Sequence, residues 1–161
     1  MRVDQIWMYP VKSMIGETVA SAQLDRLGLV GDRRWAVRDI ERGGIRGAKK
    51  IGGLMRCAAR FDASGSTATI TLPDGRTTTT DSPDVDELIS AAIGTRVHLD
   101  ALRGPEHTEH FRRGAPEHSD PIAEIRAVMG RDDDEPLPDF SIFPPEIMEF
   151  ESPPGAYYDA F

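Results

Sequence analysis

The chain has 161 residues, 39% of them hydrophobic and 29% charged, with a formal net charge of −8, enough to bury one core or one domain plus part of a second. The acidic balance argues against general nucleic-acid binding, which relies on a basic surface to neutralise phosphates. No apolar run approaches the ~20 residues needed to cross a bilayer. The N-terminus lacks the apolar stretch of a secretory signal, and the single cysteine, Cys57, leaves no internal disulfide, so the cytoplasm is the expected location.

The first 103 residues read mostly as short strands. Residues 3–9 are rich in β-branched and aromatic side chains and stop at Pro10, and residues 17–24 form a second candidate. Residues 34–39 alternate, with Trp35 and Val37 on one face and Arg34, Ala36 and Arg38 on the other. Residues 54–61 are a weaker strand. Residues 67–72 place Ala68, Ile70 and Leu72 on one face, and Pro73, Asp74 and Gly75 turn the chain into a strand over 77–80. A helix follows, with Ser82 as N-cap, Pro83 as first helical residue and Asp84, Asp86 and Glu87 at its positive end. Its buried stripe is Val85, Leu88, Ile89, Ala92 and Ile93, and Gly94 ends it. Residues 96–102 alternate again through Val97, Leu99 and Ala101. Short strands around one amphipathic helix predict an α+β, mainly β fold: a small β-barrel or rolled sheet with one or two short helices.

From Gly104 the character changes. Up to Arg103 there are 15 Lys and Arg against 13 Asp and Glu; beyond it there are 4 against 14, together with nine of the 12 prolines. A short helix over 121–129, capped by Ser119 or Asp120 and closed by Gly130, is expected within an extended acidic connection that has little core of its own. Residues 155–161 read as a strand interrupted at its start. The organisation expected is therefore a β domain over 1–103 and an acidic, Pro-rich connection over 104–161 that leads into a further domain.

One segment carries chemistry. Tyr9-Pro10-Val11-Lys12-Ser13 is followed by Gly16-Glu17, then Leu27-Gly28-Leu29, then Gly31-Asp32-Arg33-Arg34-Trp35. Pro10 stops a strand, so Lys12 and Ser13 fall in a loop that offers an ammonium, a hydroxyl and backbone N–H groups to an anion. Gly28 and Gly31 punctuate a second turn, and Arg33 follows it with a guanidinium suited to a phosphate.

In this order and spacing, the motif resembles the opening of MOSC-family proteins that carry an N-terminal β-barrel domain, among them the mitochondrial amidoxime-reducing component and its bacterial relatives. The resemblance is clear over residues 2–61, diffuse to 102, and returns over 151–159, which looks like the entry to the MOSC domain. It implies that Lys12, Ser13 and Arg33 contact a molybdenum cofactor (molybdopterin), shared with a MOSC catalytic domain on the same or a separate chain. It further implies an oxidoreductase of N-hydroxylated compounds when complete, served by redox donor proteins and inactive as this chain alone. In the family a cysteine thiolate on molybdenum lies in the later domain; Cys57 reads instead as a small buried apolar residue.

Plainer readings stand beside this one. Lys12 can be a solvated turn lysine, and Arg33 and Arg34 point opposite ways if both lie on a strand. Asp32 can form an exposed ion pair worth ~0.5 kcal/mol. Trp7 and Trp35 are expected in the core. Nine basic and two acidic residues lie between Arg33 and Arg60; that run is either a basic wall, with Arg46, Lys49 and Lys50 as further candidates, or a solvated face. Glu106, His107, Glu109, His110 and His118 match no closed zinc spacing, and neither a nucleophile elbow nor a nucleotide-binding glycine loop is present. The alternative function is a non-catalytic β-barrel module that binds a small anion or another protein.

Overall fold

Short runs of β-formers between Gly, Pro and Asp turns yield short strands, and the computed structural model, which describes residues 2–142 and 149–158, is built mainly from them. β1 (Ile6–Met8) pairs antiparallel with β2 (Glu17–Val19), and β3 (Leu24–Asp25) with β4 (Gly28–Leu29). β5 (Trp35–Asp39) pairs with β6 (Ile45–Arg46). β7 (Ala58–Phe61), β8 (Ala68–Thr71) and β9 (Thr77–Thr79) form an antiparallel meander. After α1 (Val85–Ile93), β10 (Val97–Ala101) takes the other edge of β5. The α+β, mainly β class expected from the sequence is what forms, although among the described residues the strands make four small sheets rather than one closed ring.

The sheets are joined by the segment after β1. Val11 bridges Trp35 and Ile15 bridges Ala58, both in parallel. Lys12 N–H donates to the Trp35 carbonyl at 2.8 Å, Ile15 N–H to the Cys57 carbonyl at 2.9 Å, and Ala59 N–H to the Ile15 carbonyl at 2.8 Å. The main core lies between these sheets and α1. It takes Val11, Trp35, Val37, Leu54, Cys57, Ala68, Ile70, Leu72, Val85, Ile89, Val97 and Leu99, so the face read from the alternation of 67–72 is buried, whereas on 96–102 Ala101 is exposed and Asp100 buried, and 34–39 is buried on both faces. Gly94 closes α1 in the left-handed conformation, with φ 74°, as a C-terminal glycine should.

The opposite face of β5 has its own cluster: Ala36 packs with Ile45, Phe111, Phe150 and Tyr158. Thus the acidic region has no separate core but completes one on β5. It contains α2 (Thr108–Phe111) and α3 (Pro121–Met129). α3 follows the sequence reading closely. The Asp120 carboxylate accepts from Ile122 and Ala123 N–H, and Gly130 ends the helix at φ 62°. Among the described residues no helix is long and apolar enough to cross a membrane.

Four expectations need correction. Residues 54–56 belong to a 3-10 turn over Gly52–Arg56, not a strand, because Leu54 and Cys57 N–H bond back to Ile51 and Leu54 carbonyls. α1 begins at Val85 rather than Pro83; the Ser82 hydroxyl donates to the Asp84 carboxylate instead of capping the helix. Trp7 is 43% exposed while Trp35 is 7% exposed, since Trp7 faces away from the core on β1 and Trp35 faces into it on β5. Gly155 to Tyr158 form a turn and bends, not a strand, and residues 159–161 lie outside those described.

The acidic region is stitched to the β5–β6 hairpin by a backbone crossing. Ala115 N–H donates to the Arg42 carbonyl at 2.7 Å, and a Cβ added at Gly114 would stand 2.0 Å from the Gly43 carbonyl oxygen. Main chain cannot yield there as a flexible side chain would. Gly114→Ala is expected to destabilise the protein by about 1–3 kcal/mol, the cost of overpacking, measured by urea unfolding. An unchanged midpoint would remove the crossing from the list of stabilising contacts.

Candidate functional site

Two turns from the motif meet at one place. The Asp32 carboxylate accepts the Tyr9 N–H at 2.7 Å, and Arg33 N–H donates to the Tyr9 carbonyl at 2.7 Å. Trp35 N–H donates to the Pro10 carbonyl at 3.1 Å. Asp32 is buried, so its role is to lock one turn onto the other, with the Arg33 guanidinium at 3.2 Å as a second partner. The sequence reading allowed for the ion pair with an arginine, which forms, but not for the bond to the Tyr9 amide. An acidic residue able to accept a distant amide carries no local sequence signal.

Among the described residues, the non-glycine positions with positive φ are Ser13, at 67°, and Arg33, at 51°. Left-handed backbone costs an L-residue roughly 1–2 kcal/mol, and such strain concentrates at functional sites. Both residues line a single cavity of about 440 Å³, together with Trp7, Tyr9, Gly16 and Ala48. The Ser13 hydroxyl accepts the Ala48 N–H at 2.9 Å.

Lys12 sits differently. Its side chain is buried and its ammonium donates to the Tyr158 carbonyl at 3.1 Å, and it is not among the residues lining the cavity. It does pass close to Ser13: a Cβ placed on Gly47 would lie 3.1 Å from Ser13 Oγ and 3.4 Å from Lys12 Cε. Arg34 points elsewhere, its guanidinium donating to the Gly65 carbonyl at 3.0 Å and lying over the Trp35 ring. Of the further basic candidates, Arg46 is buried and donates to the Ala115 carbonyl at 3.0 Å, and its Nε has no partner among the described residues. Lys50 is paired with Glu117 and Glu124, and Lys49 is exposed.

Tyr158 was not singled out by the sequence reading, yet it touches both sides of the site. Its N–H donates to the Arg33 carbonyl at 3.2 Å, while its carbonyl holds Lys12. Its phenol is fixed by a buried polar chain. Arg38 is ion-paired with Asp100 at 2.6 Å and donates to His110 Nδ1 at 3.1 Å. A guanidinium has only donors, so Nδ1 must accept and the proton of neutral His110 resides on Nε2. Nε2–H then donates to the Tyr158 hydroxyl, which donates to the Ala101 carbonyl at 2.9 Å. Burial pushes the His110 pKa down to about 4 and raises that of Tyr158.

Glu106, His107, Glu109 and His110 line a second cavity of about 460 Å³ with Arg38, Asp100 and Arg103. His110 is occupied as described, and among the described residues no group of three or more His, Cys, Asp or Glu is placed to hold a metal ion. Cys57 is fully buried, and desolvation raises its thiol pKa, so it behaves as a core residue.

In comparisons with known proteins, residues 1–113 match the MOSC N-terminal beta barrel domain. No curated protein matches the chain.

The neutral His110 gives a pH dependence of defined sign. Its folded pKa lies below the ordinary 6.5, so the unfolded state takes up the proton first on acidification. Its stabilising contribution is complete above pH 6.5 and is lost as pH falls towards 4. His110→Gln retains a donor and an acceptor but does not titrate. Its stability, measured by chemical denaturation, is expected to fall less steeply than that of the wild type across this window, and equal slopes would refute the neutral assignment.

Proposed function

Because the chain belongs to the MOSC N-terminal beta barrel family, we propose that it is the cofactor-cradling part of a molybdenum-cofactor oxidoreductase, with Ser13, Arg33 and Lys12 serving the anionic group of that cofactor. The observation that carries the reading is the pair of strained residues, Ser13 and Arg33, opening onto one cavity. Glycine would occupy either position at less cost, so a hydroxyl and a guanidinium held there at the expense of stability point to a ligand.

The donor set suits a phosphate. Arg33 brings a planar fork of N–H groups, Lys12 a compact cation and Ser13 a hydroxyl. Gly47 leaves open the space beside Ser13 Oγ and Lys12 Cε that a larger residue would fill. The work of these residues is to bind and orient. When bound, the molybdenum centre supplies two-electron redox chemistry, here the reduction of N-hydroxylated compounds. A thiolate is the ligand such a soft metal calls for, and Cys57, buried and held as a thiol, does not supply it. The reading therefore assigns the metal ligand to a MOSC catalytic domain, on the same or a separate chain, with redox donor proteins as further partners and a cytoplasmic setting.

Titration calorimetry with inorganic phosphate tests the clamp. Lys12→Ala combined with Arg33→Ala is expected to weaken binding by about tenfold or more, equivalent to ~1.4 kcal/mol, whereas Arg34→Ala should change it by no more than about twofold, since its loss removes no ligand group. Arg33→Gly separates function from folding: it relieves left-handed strain, so stability should hold within about 1 kcal/mol while phosphate affinity falls. Equal affinity in the wild type and the double variant would dismiss the clamp.

A further inference from the structure

We infer that the second cavity, floored by Arg38 and Asp100 and rimmed by Arg103 and Glu106, binds a polar, uncharged α-amino acid. The carboxylate of the ligand meets the guanidiniums and its ammonium meets the protein carboxylates. The site is separate from the anion site described above, since the two cavities share no lining residue.

The floor is built from buried groups whose bonding capacity is only partly used. Asp100 is 4% exposed. Its Oδ2 accepts from Arg38 Nε at 2.6 Å. Oδ1 accepts no hydrogen bond among the described residues and stands 3.6 Å from His98 Nε2 and 4.0 Å from Arg103 Nη2. Arg38 uses Nε on Asp100 and Nη2 on His110, and its Nη1 has no partner among the described residues. A buried carboxylate oxygen without a donor is costly. A ligand ammonium brings three donors to Oδ1, and a ligand carboxylate brings acceptors to Nη1.

The rim repeats the two signs. Arg103 is exposed and makes no hydrogen bond among the described residues, its one ion-pair contact being the 4.0 Å approach to Asp100. Glu106 folds back over the main chain of residue 104, where a Cβ would stand 2.3 Å from its Oε1; glycine leaves that room. Glu109 also lines the cavity but is already paired with Arg112 at 2.7 Å, and His110 is held neutral by burial. Two guanidiniums and two carboxylates therefore remain for a ligand. The guanidiniums oppose a bare cation and the carboxylates a bare anion, whereas a molecule with both signs is opposed by neither. Oδ1 of Asp100 and Nη2 of Arg103, 4.0 Å apart, match the adjoining ammonium and carboxylate of an α-amino acid. Every residue lining the cavity is polar, so the remaining space suits a polar side chain, and the balance of charge calls for an uncharged one. The volume of about 460 Å³ falls within the roughly 300–1,000 Å³ of small-molecule sites.

The probes are L-glutamine, glutaramate, which is the same molecule without the α-ammonium, and 4-aminobutanamide, which lacks the carboxylate. Each is titrated into the isotope-labelled full chain and followed by NMR amide shifts. L-Glutamine is expected to bind about tenfold or more tightly than either relative, as the loss of one charge-assisted hydrogen bond implies. Arg103→Gln should weaken L-glutamine by about tenfold and leave 4-aminobutanamide unchanged; Glu106→Gln should weaken L-glutamine and 4-aminobutanamide alike without weakening glutaramate. Both side chains are exposed at the rim, and an unchanged amide spectrum of each free variant reports an intact fold. Failure of L-glutamine to bind, affinity no greater than that of glutaramate or 4-aminobutanamide, or indifference to Arg103→Gln overturns the site. None of these outcomes touches the phosphate clamp, which Arg33 variants test separately.

Discussion

The main chain of residues 9–15 is shared between two sheets, and the rest of the structure depends on that sharing. One side of the segment exchanges hydrogen bonds with Arg33 and Trp35 at the entry to β5, and the other with Cys57 and Ala59 at β7. Each such bond contributes only ~1 kcal/mol net, but a buried amide left without its partner costs more. The sheets are short, and α1 and the core can only be enclosed if they stay together. The residues that close the fold are the same ones that carry Lys12 and Ser13. The candidate binding residues thus sit on backbone held from both sides, as a preorganised site requires.

The charge asymmetry of the sequence has a structural counterpart. Acidic and carbonyl groups of the C-terminal region lie against the basic β5–β6 hairpin and the turn after it. Arg42 and Arg46 donate to the Pro116 and Ala115 carbonyls, and Lys50 pairs with Glu117 and Glu124. The supposed basic wall is therefore partly consumed within the molecule. Arg33, by contrast, opens onto the cavity even though Asp32 is within 3.2 Å. A partner for a cation does not exclude a ligand role. The Asp32 carboxylate, fixed by the Tyr9 amide, holds the guanidinium in place as much as it neutralises it.

Much of the fold was legible because it rests on local periodicity. Alternation in 67–72 named the buried face, that in 34–39 and 96–102 picked out Trp35, Val37, Val97 and Leu99 but not the exposure of Ala101, and the stripe of Val85, Leu88, Ile89, Ala92 and Ile93 with Gly94 named α1. What failed depended on partners far along the chain. Trp7 reads as core because it is large and apolar, but on β1 it is Met8 that is buried and Trp7 that is exposed. Ser82 has the chemistry of an N-cap, yet Asp84 takes its hydroxyl. In the candidate site, Lys12, Ser13 and Arg33 were named through the motif, and Ser13 and Arg33 line one cavity that Lys12 does not. The Asp32 pair with arginine was foreseen, but its bond to an amide 23 residues away and the Tyr158 bond to Lys12 across 146 residues were missed. His110 stood out only as one of several His and Glu residues without a zinc spacing, and the donor-only character of Arg38 reveals it as a neutral link to Tyr158.

The strain at Ser13 and Arg33 is sustained by bonds on either side of each residue, which is how a costly conformation persists in a folded chain. Arg33 has both its N–H and its carbonyl engaged, by Tyr9 and by Tyr158, while the Ser13 hydroxyl is met by the Ala48 amide. Those contacts would survive replacement of the guanidinium, so they explain how the backbone is held but not why an arginine occupies it. The guanidinium itself meets the Asp32 carboxylate at 3.2 Å and stands beside the Tyr9 ring at the edge of the cavity. Both positions are held by the fold, and both side chains line the cavity while keeping a partner within the protein, Asp32 for Arg33 and the Ala48 amide for Ser13. A ligand entering such a site finds its donors already arranged and gives up less of its binding energy to ordering them.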